Sequence, residues 1–131
     1  MHDPIPLAPI SWGELIDKIT ILEIKTQKIA SASGLANVRK ELGMLTEIAA
    51  PALWRRDDVE ALKARLREAN EKLWDIEDFI RLKEAAKCFD QEFVELARSV
   101  YVTNGERSRL KREISDLLGS GLIEEKSYAP Y

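Results

Sequence analysis

Apolar residues recur at alternating spacings of three and four over residues 59–80, the most regular pattern in the chain. The members of this stripe are Val59, Leu62, Leu66, Ala69, Leu73, Ile76 and Ile80. Such spacing places side chains on one face of an α-helix. The pattern predicts a helix from Asp57 and Asp58, which suit a helix N-terminus, to about Ala86. At about 1.5 Å per residue this helix is some 40 Å long.

Two shorter helices are predicted before it. The segment from Ser11 to Glu14 has the form of a capping box, in which the serine hydroxyl and the glutamate satisfy free amides, and the helix runs to about Ala30. Ser33 is the expected N-cap of the next helix, and Pro51 is expected to end it.

A fourth helix is predicted from the cap Asp90 to the glycines of segment 119–121. The connection to the preceding helix is so short that the two long helices must form an antiparallel hairpin. No strand pattern or repeat is present. We therefore predict one all-α domain over residues 1–131: an antiparallel bundle of four helices, two short and two long, with an extended lead-in (1–10) and a tail (122–131).

Charge and composition argue against several classes of protein. Twenty Lys and Arg face twenty-three Asp and Glu, a net charge of -3, whereas nucleic-acid binding usually needs a basic excess or a basic face. No uninterrupted apolar run is long enough for a membrane span, and the proline-rich lead-in resembles neither a signal peptide nor an anchor. One cysteine, Cys88, permits no intrachain disulfide, which favours a reducing compartment. We expect a cytoplasmic protein that does not bind nucleic acid.

Metal and cofactor sites are not expected. The sole histidine, His2, lies in the lead-in, and di-iron, zinc and haem sites need more His or Cys ligands than this chain has. Neither a phosphate-binding glycine loop nor a Ser-His-Asp set can be assembled. What remains is a site of carboxylates, Arg, Lys, Asn and Tyr, which suits an anionic or polyhydroxylated ligand.

The first predicted helix contains the unusual segment GELIDKITILEIK (13–25), with six large aliphatic residues and five charged ones. On a helical wheel, one arc holds Leu15, Ile16, Ile19 and Leu22. Glu23 falls inside this apolar arc, which predicts a buried carboxylate. Ile21 falls among the charges, which suggests that the back of the helix also contacts other residues.

The long hairpin has a matching anomaly, because Arg107 stands where its apolar stripe predicts a leucine. Folding the hairpin back about residues 87–90 brings further polar side chains to the same level. This predicted polar layer comprises Asn70, Glu77, Thr103, Asn104 and Arg107. Since an unpaired buried charge is costly, we predict an ion pair between Glu23 and Arg107.

Ten residues are candidates for ligand binding, and no catalytic residue can be assigned. They are Lys18, Glu23, Asn70, Trp74, Glu77, Arg81, Tyr101, Asn104, Arg107 and Lys111. A binding protein would use this set as a polar cleft. A cofactor-free enzyme would hold an anion with Arg107 and Lys18, move a proton with Glu23 or Glu77, and close the cleft with Trp74 or Tyr101. A structural or interaction module would use the same charges to fix helix register.

Several motifs resemble a bacterial family of small proteins of unknown function: GELIDKITILEIK, ANVRKEL, LWDIEDFIR, FVELARSVYVTN and the closing EEKSYAPY. The resemblance covers nearly the whole chain after the lead-in. It implies an association with glycosyltransferases and cell-surface polysaccharide functions, and it carries no catalytic residues. The resulting expectation is a cytoplasmic accessory or binding protein for surface-glycan assembly. Its expected partners are a glycosyltransferase or another protein, and a second copy along the exposed hairpin.

Overall fold

The computed structural model describes residues 4–131 and confirms the predicted all-α architecture. Within these residues the helices are α1 (Trp12–Lys28), α2 (Ala32–Leu53), α3 (Asp57–Ala85) and α4 (Gln91–Leu117). His2 lies outside the described residues. None of the four helices is both long and apolar enough to cross a bilayer.

The helix ends follow local capping chemistry, with two differences from the sequence-based prediction. Ser11 caps α1 by accepting a hydrogen bond from the Glu14 amide at 3.1 Å. At α2 the cap is Ser31, whose hydroxyl accepts from the Gly34 amide, and not Ser33. Pro51 does not end α2, which continues to Leu53. A proline two residues before the end of a helix removes a single backbone hydrogen bond, and Leu53 packs against the core.

Helix α1 occupies the centre of the molecule, because it packs against each of the other three helices. Helices α3 and α4 form the predicted antiparallel hairpin, which turns through Lys87 at a φ of 52°. Helix α2 lies on α1 and touches α3 only slightly. Residues along α1 therefore have buried neighbours on two sides, one toward α2 and one toward the hairpin.

Close packing of α1 on α4 depends on Gly13. A Cβ atom built at this position would lie 2.1 Å from the backbone oxygen of Lys111, so only glycine fits. The Gly13 amide donates to the Ser115 hydroxyl at 2.9 Å. Helix α1 lies antiparallel to α4, so Asp17, one turn after Gly13, lies level with Arg107.

The main core lies where all four helices meet. Its buried members are Leu15, Ile16, Ile19, Ala49, Val59, Leu66, Leu110 and Ile114. The lead-in is extended beside α2, and the tail packs back along α4. Among the contacts that hold the tail on α4, Glu124 binds Lys111 at 2.8 Å, and the Tyr131 ring packs edge-on against Tyr101 at a centroid distance of 5.0 Å.

Candidate functional site

The mixed composition of α1 reflects two buried faces. Leu15, Ile16 and Ile19 belong to the main core. A second stripe, Gly13, Asp17, Thr20 and Ile24, follows the spacing four-three-four, and all four residues are buried. This stripe faces the hairpin, as the contacts of Gly13 with α4 and of Thr20 with α3 show. A carboxylate therefore enters the interior on a face that otherwise carries small or apolar side chains.

Asp17 is the centre of a buried polar network. Its side chain is 1% exposed, and Arg107 binds it through two nitrogens, with Nε at 2.9 Å from Oδ1 and Nη2 on Oδ2. Asn70 Nδ2 donates to Asp17 Oδ1 and to Thr20 Oγ1, both at 2.9 Å. Thr20 Oγ1 in turn donates to the backbone oxygen of Asp17 at 2.8 Å. Side chains of α3 and α4 thus fix one carboxylate of α1.

The charges and the buried polar atoms of the network are all paired. The hydrogen bond with Asp17 raises the pKa of Arg107, against the opposing effect of burial, so the guanidinium stays charged. Throughout residues 4–131, every buried side-chain nitrogen or oxygen has a hydrogen-bond partner. The side chain of Arg107 nevertheless remains 28% exposed.

Arg107 lines a groove of about 220 Å³ between α1, α3 and α4. Its lining residues are Ile21, Ile24, Asn70, Leu73, Trp74, Glu77 and Arg107. Glu77 is half exposed and lies 3.8 Å from Arg81. The groove therefore combines a flat aromatic ring, an acceptor carboxylate and a fixed guanidinium.

The family of unknown function DUF6165 matches residues 7–130, a span that includes all four helices and most of the tail. The chain belongs to this family. Neither the curated proteins nor the solved structures contain a significant match. Membership agrees with the resemblance to a small family of unknown function found in the motifs.

The predicted ion pair between Glu23 and Arg107 is not formed in this DUF6165 chain. Glu23 instead lies 3.3 Å from Lys63 Nζ and 3.7 Å from Arg67 Nη1, both in the first half of α3. Six residues separate Glu23 from Asp17, which is about 240° around a helix. The two carboxylates of α1 therefore point to different neighbours, and Arg107 takes the nearer one.

Four of the ten predicted binding residues line the groove together: Asn70, Trp74, Glu77 and Arg107. Arg81 reaches its edge through Glu77. The remaining four, besides Glu23, lie elsewhere and are Lys18, Tyr101, Asn104 and Lys111.

Lys18 does not meet Arg107, because it is exposed and lines a separate groove between the lead-in and α2. The clamp of two cations predicted for an enzyme is therefore not assembled. Tyr101 and Asn104 line a third groove, under the end of the tail, where Tyr131 packs on Tyr101. Neither residue closes the groove at Trp74. Thr103 of the predicted layer is buried.

Lys111 joins the tail to α1. Its Nζ lies 2.7 Å from Glu14 and 2.8 Å from Glu124. Burial lowers the pKa of Lys111, but the hydrogen bonds with both carboxylates outweigh burial, and the net shift is upward. Hydrogen bonds from Lys111 and Lys126 lower the pKa of Glu124 to about 2. The charge of Lys111 thus binds the tail and does not line the groove beside Arg107.

Sequence reasoning missed Asp17 and Thr20 as members of the layer. The available signal was the four-three-four stripe of Gly13, Asp17, Thr20 and Ile24, which crosses the apolar arc at an angle. Within residues 4–131, no three His, Cys, Asp or Glu side chains are grouped so that they could hold a metal ion.

Proposed function

We propose that this DUF6165 chain is a cytoplasmic binding protein that holds one sugar ring in the groove beside Arg107. The observation that carries the proposal is the state of Arg107 itself. Its guanidinium is fixed by the buried Asp17, yet the Arg107 side chain is partly exposed and lines a concave surface. A group held in place before the ligand arrives loses little entropy on binding.

The groove residues match the chemistry of a sugar. The Trp74 indole offers a flat apolar surface on which the C–H face of a ring can stack. Glu77 accepts hydrogen bonds from hydroxyl groups, and Arg107 donates to ring or hydroxyl oxygens. Asn70 stands beside them and is held by Asp17 and Thr20.

The charge of the groove favours a neutral ligand over a strongly anionic one. Asp17 compensates the charge of Arg107, and Arg81 lies within 3.8 Å of Glu77. A phosphate group would find no uncompensated cation among the lining residues. The volume of about 220 Å³ is also below the roughly 300–1,000 Å³ typical of sites for larger ligands. One monosaccharide unit fits better than a nucleotide sugar.

A role in surface-polysaccharide assembly, with a glycosyltransferase or other protein as partner, is the setting that the motif resemblance supports. In that setting the chain would hold a single unit of a glycan as an accessory to the enzyme that extends it. The bound unit would be a neutral residue of the saccharide.

Calorimetric titration with neutral monosaccharides, sugar phosphates and nucleotide sugars tests the proposal. We expect a neutral monosaccharide to bind, and Trp74→Ala to weaken that binding at least about tenfold, which is about 1.4 kcal/mol. Trp54→Ala is the matched control, because Trp54 is 71% exposed at the end of α2, outside the groove. Equal losses in both variants would contradict the assignment of the groove.

A structural module is the second candidate function. It is favoured by the complete pairing of buried side-chain polar atoms within residues 4–131. A polar layer that only sets helix register is satisfied internally and leaves no polar atom for a ligand. The same titration separates the two functions. No binding of any saccharide, together with marked destabilisation by Asp17→Asn, would assign the network to register alone.

A further inference from the structure

A second groove, which shares no lining residue with the first, lies between the lead-in and α2. Its volume is about 630 Å³. Large apolar side chains along it remain exposed to solvent, among them Ile5 at 56%, Met44 at 40% and Ile48 at 58%. Exposed apolar surface that is contiguous rather than scattered marks an interaction site.

Two lysines add a charge preference to this apolar groove. Lys18 and Lys40 are among its lining residues, and neither forms an ion pair within residues 4–131. Glu41 is the one acidic residue of the lining. The rim therefore carries a net positive charge, which complements an anionic group.

The groove follows α2 from Asn37 to Ile48, a length of about 16 Å at about 1.5 Å per residue. The lead-in lines the groove along with α2, so a single chain lying in it contacts both.

An extended peptide is disfavoured, because it would bring backbone amides and carbonyls into an apolar groove. The backbone of α2 is occupied by its own helical hydrogen bonds, and prolines at positions 4, 6 and 9 leave the lead-in few donors. Polar groups buried without partners are costly. A hydrocarbon chain needs no hydrogen bonds and avoids this cost.

We propose that this second groove binds the acyl chain of a single fatty acid. The chain lies against Met44, Ile48 and the lead-in residue Ile5, and the carboxylate lies at Lys18 and Lys40. The site uses Lys18, one of the predicted binding residues that do not line the sugar groove. It is independent of the proposed function, because no residue is common to the two grooves.

Fluorescence titration with cis-parinaric acid, kept below its micelle concentration, tests the proposal directly. We expect saturable binding of one probe per chain. Laurate should displace the probe at least fivefold more effectively than dodecanol, the neutral chain of the same length. The paired change Met44→Glu and Ile48→Glu should weaken binding at least tenfold, because both side chains are exposed lining residues whose replacement spares the core.

Matched variants separate the apolar and the charged parts of the site. Leu82→Glu changes an apolar residue on α3 that is also exposed, at 65%, and should leave binding unchanged. The paired change Lys18→Gln and Lys40→Gln should abolish the preference for laurate over dodecanol, whereas Lys72→Gln on α3 should retain it. Circular dichroism establishes that each variant is folded.

Three outcomes would overturn the proposal. The first is probe binding that does not saturate, and the second is an equal loss in Leu82→Glu and in the paired α2 variant. The third is a dimer in analytical ultracentrifugation that Ile48→Glu dissociates, because a second copy would then occupy the groove. Trp74→Ala should leave fatty-acid binding intact, so failure of this proposal and failure of the sugar site are distinguishable.

Discussion

Two carboxylates of the same helix, Asp17 and Glu23, show how differently an ion pair can contribute. Asp17 is 1% exposed and is held by Arg107 and Asn70, whereas Glu23 is 26% exposed and faces Lys63 and Arg67. Both have two partners on neighbouring helices. Ion pairs in contact with water contribute at most about 1 kcal/mol, but removing one partner of a buried pair costs several. Burial, and not the number of partners, decides what each carboxylate does for the fold.

The largest effect should follow from changing the buried carboxylate. Asp17→Asn keeps the shape of the side chain but leaves Arg107 without its counter-charge, so we expect a loss of about 3–5 kcal/mol in the free energy of unfolding. Urea denaturation measures it. Asp75→Asn is the control, because Asp75 is 62% exposed and lies 3.9 Å from Lys28. A loss below about 1 kcal/mol for Asp17→Asn would show that this pair behaves like an exposed one.

A smaller loss should follow from filling the contact that brings Asp17 to Arg107. Gly13→Ala places a Cβ atom 2.1 Å from the Lys111 backbone oxygen, and we expect about 1–3 kcal/mol of destabilisation from the forced separation of α1 and α4. Gly43→Ala is the matched control, because its Cβ would meet no atom within 4 Å. In α2 that change should stabilise by up to about 1 kcal/mol through helix propensity. Thermal unfolding that ranks the two variants equally would contradict the close-packing account.

Replacing Glu23, the more exposed of the two carboxylates, should have little effect on the free energy of unfolding. Glu23→Gln removes a charge that water partly screens, so we expect less than about 1 kcal/mol of destabilisation. Lys63→Gln should have a similarly small effect, since its side chain is also partly exposed. Urea denaturation of both variants checks the prediction. A loss above about 2 kcal/mol for Glu23→Gln would show that Glu23 contributes to stability as a buried ion pair does, which would contradict the difference proposed between Glu23 and Asp17.

The smallest effect concerns the tail and depends on pH. Because the pKa of Glu124 is lowered from 4.5 to about 2 by Lys111 and Lys126, its contribution is present above pH 4.5 and is lost as the pH falls through about 2. The side chain is 41% exposed, so solvent screening limits the contribution to about 0.5 kcal/mol. We expect Glu124→Gln to unfold at a slightly lower temperature at pH 7.

Melting temperatures of the parent and of Glu124→Gln, measured from pH 7 to pH 2, check this prediction. The difference between the two proteins should shrink between pH 4.5 and 2, where the parent carboxylate takes up its proton. Arg109→Gln, a change at an exposed position of α4, serves as the control that shows no such pH dependence. A difference that stays constant over the whole range would contradict the pairing of the tail.

The fold follows from the sequence because its signals are local. The stripe over residues 59–80 and the caps Ser11 and Asp90 determine the helices and the hairpin without reference to distant residues. Ser31 was missed as the cap of α2 because Ser33 offers the same chemistry two residues later. The end of α2 was also wrong, since the tertiary contact of Leu53 outweighs the local effect of Pro51.

The site could be predicted only in part. The antiparallel hairpin correctly predicted that Asn70 lies level with Arg107, because the short turn fixes the register of the two helices. Both side chains bind Asp17 Oδ1. The partner from α1 could not be fixed, because the axial position and rotation of a third helix depend on packing at Gly13. The wrong face of α1 was assigned to the hairpin, so Glu23 was predicted as the partner of Arg107 in place of Asp17. Lys18, on the other side of α1, could not be separated from the site for the same reason.

A double-mutant cycle on Asp17→Asn and Arg107→Met, run beside one on Glu23→Gln and Lys63→Met, tests the central contrast most directly. Urea denaturation gives the coupling energy of each pair. We predict a coupling energy of about 2–3 kcal/mol between Asp17 and Arg107 and of less than about 1 kcal/mol between Glu23 and Lys63. Equal coupling energies in the two cycles would contradict it.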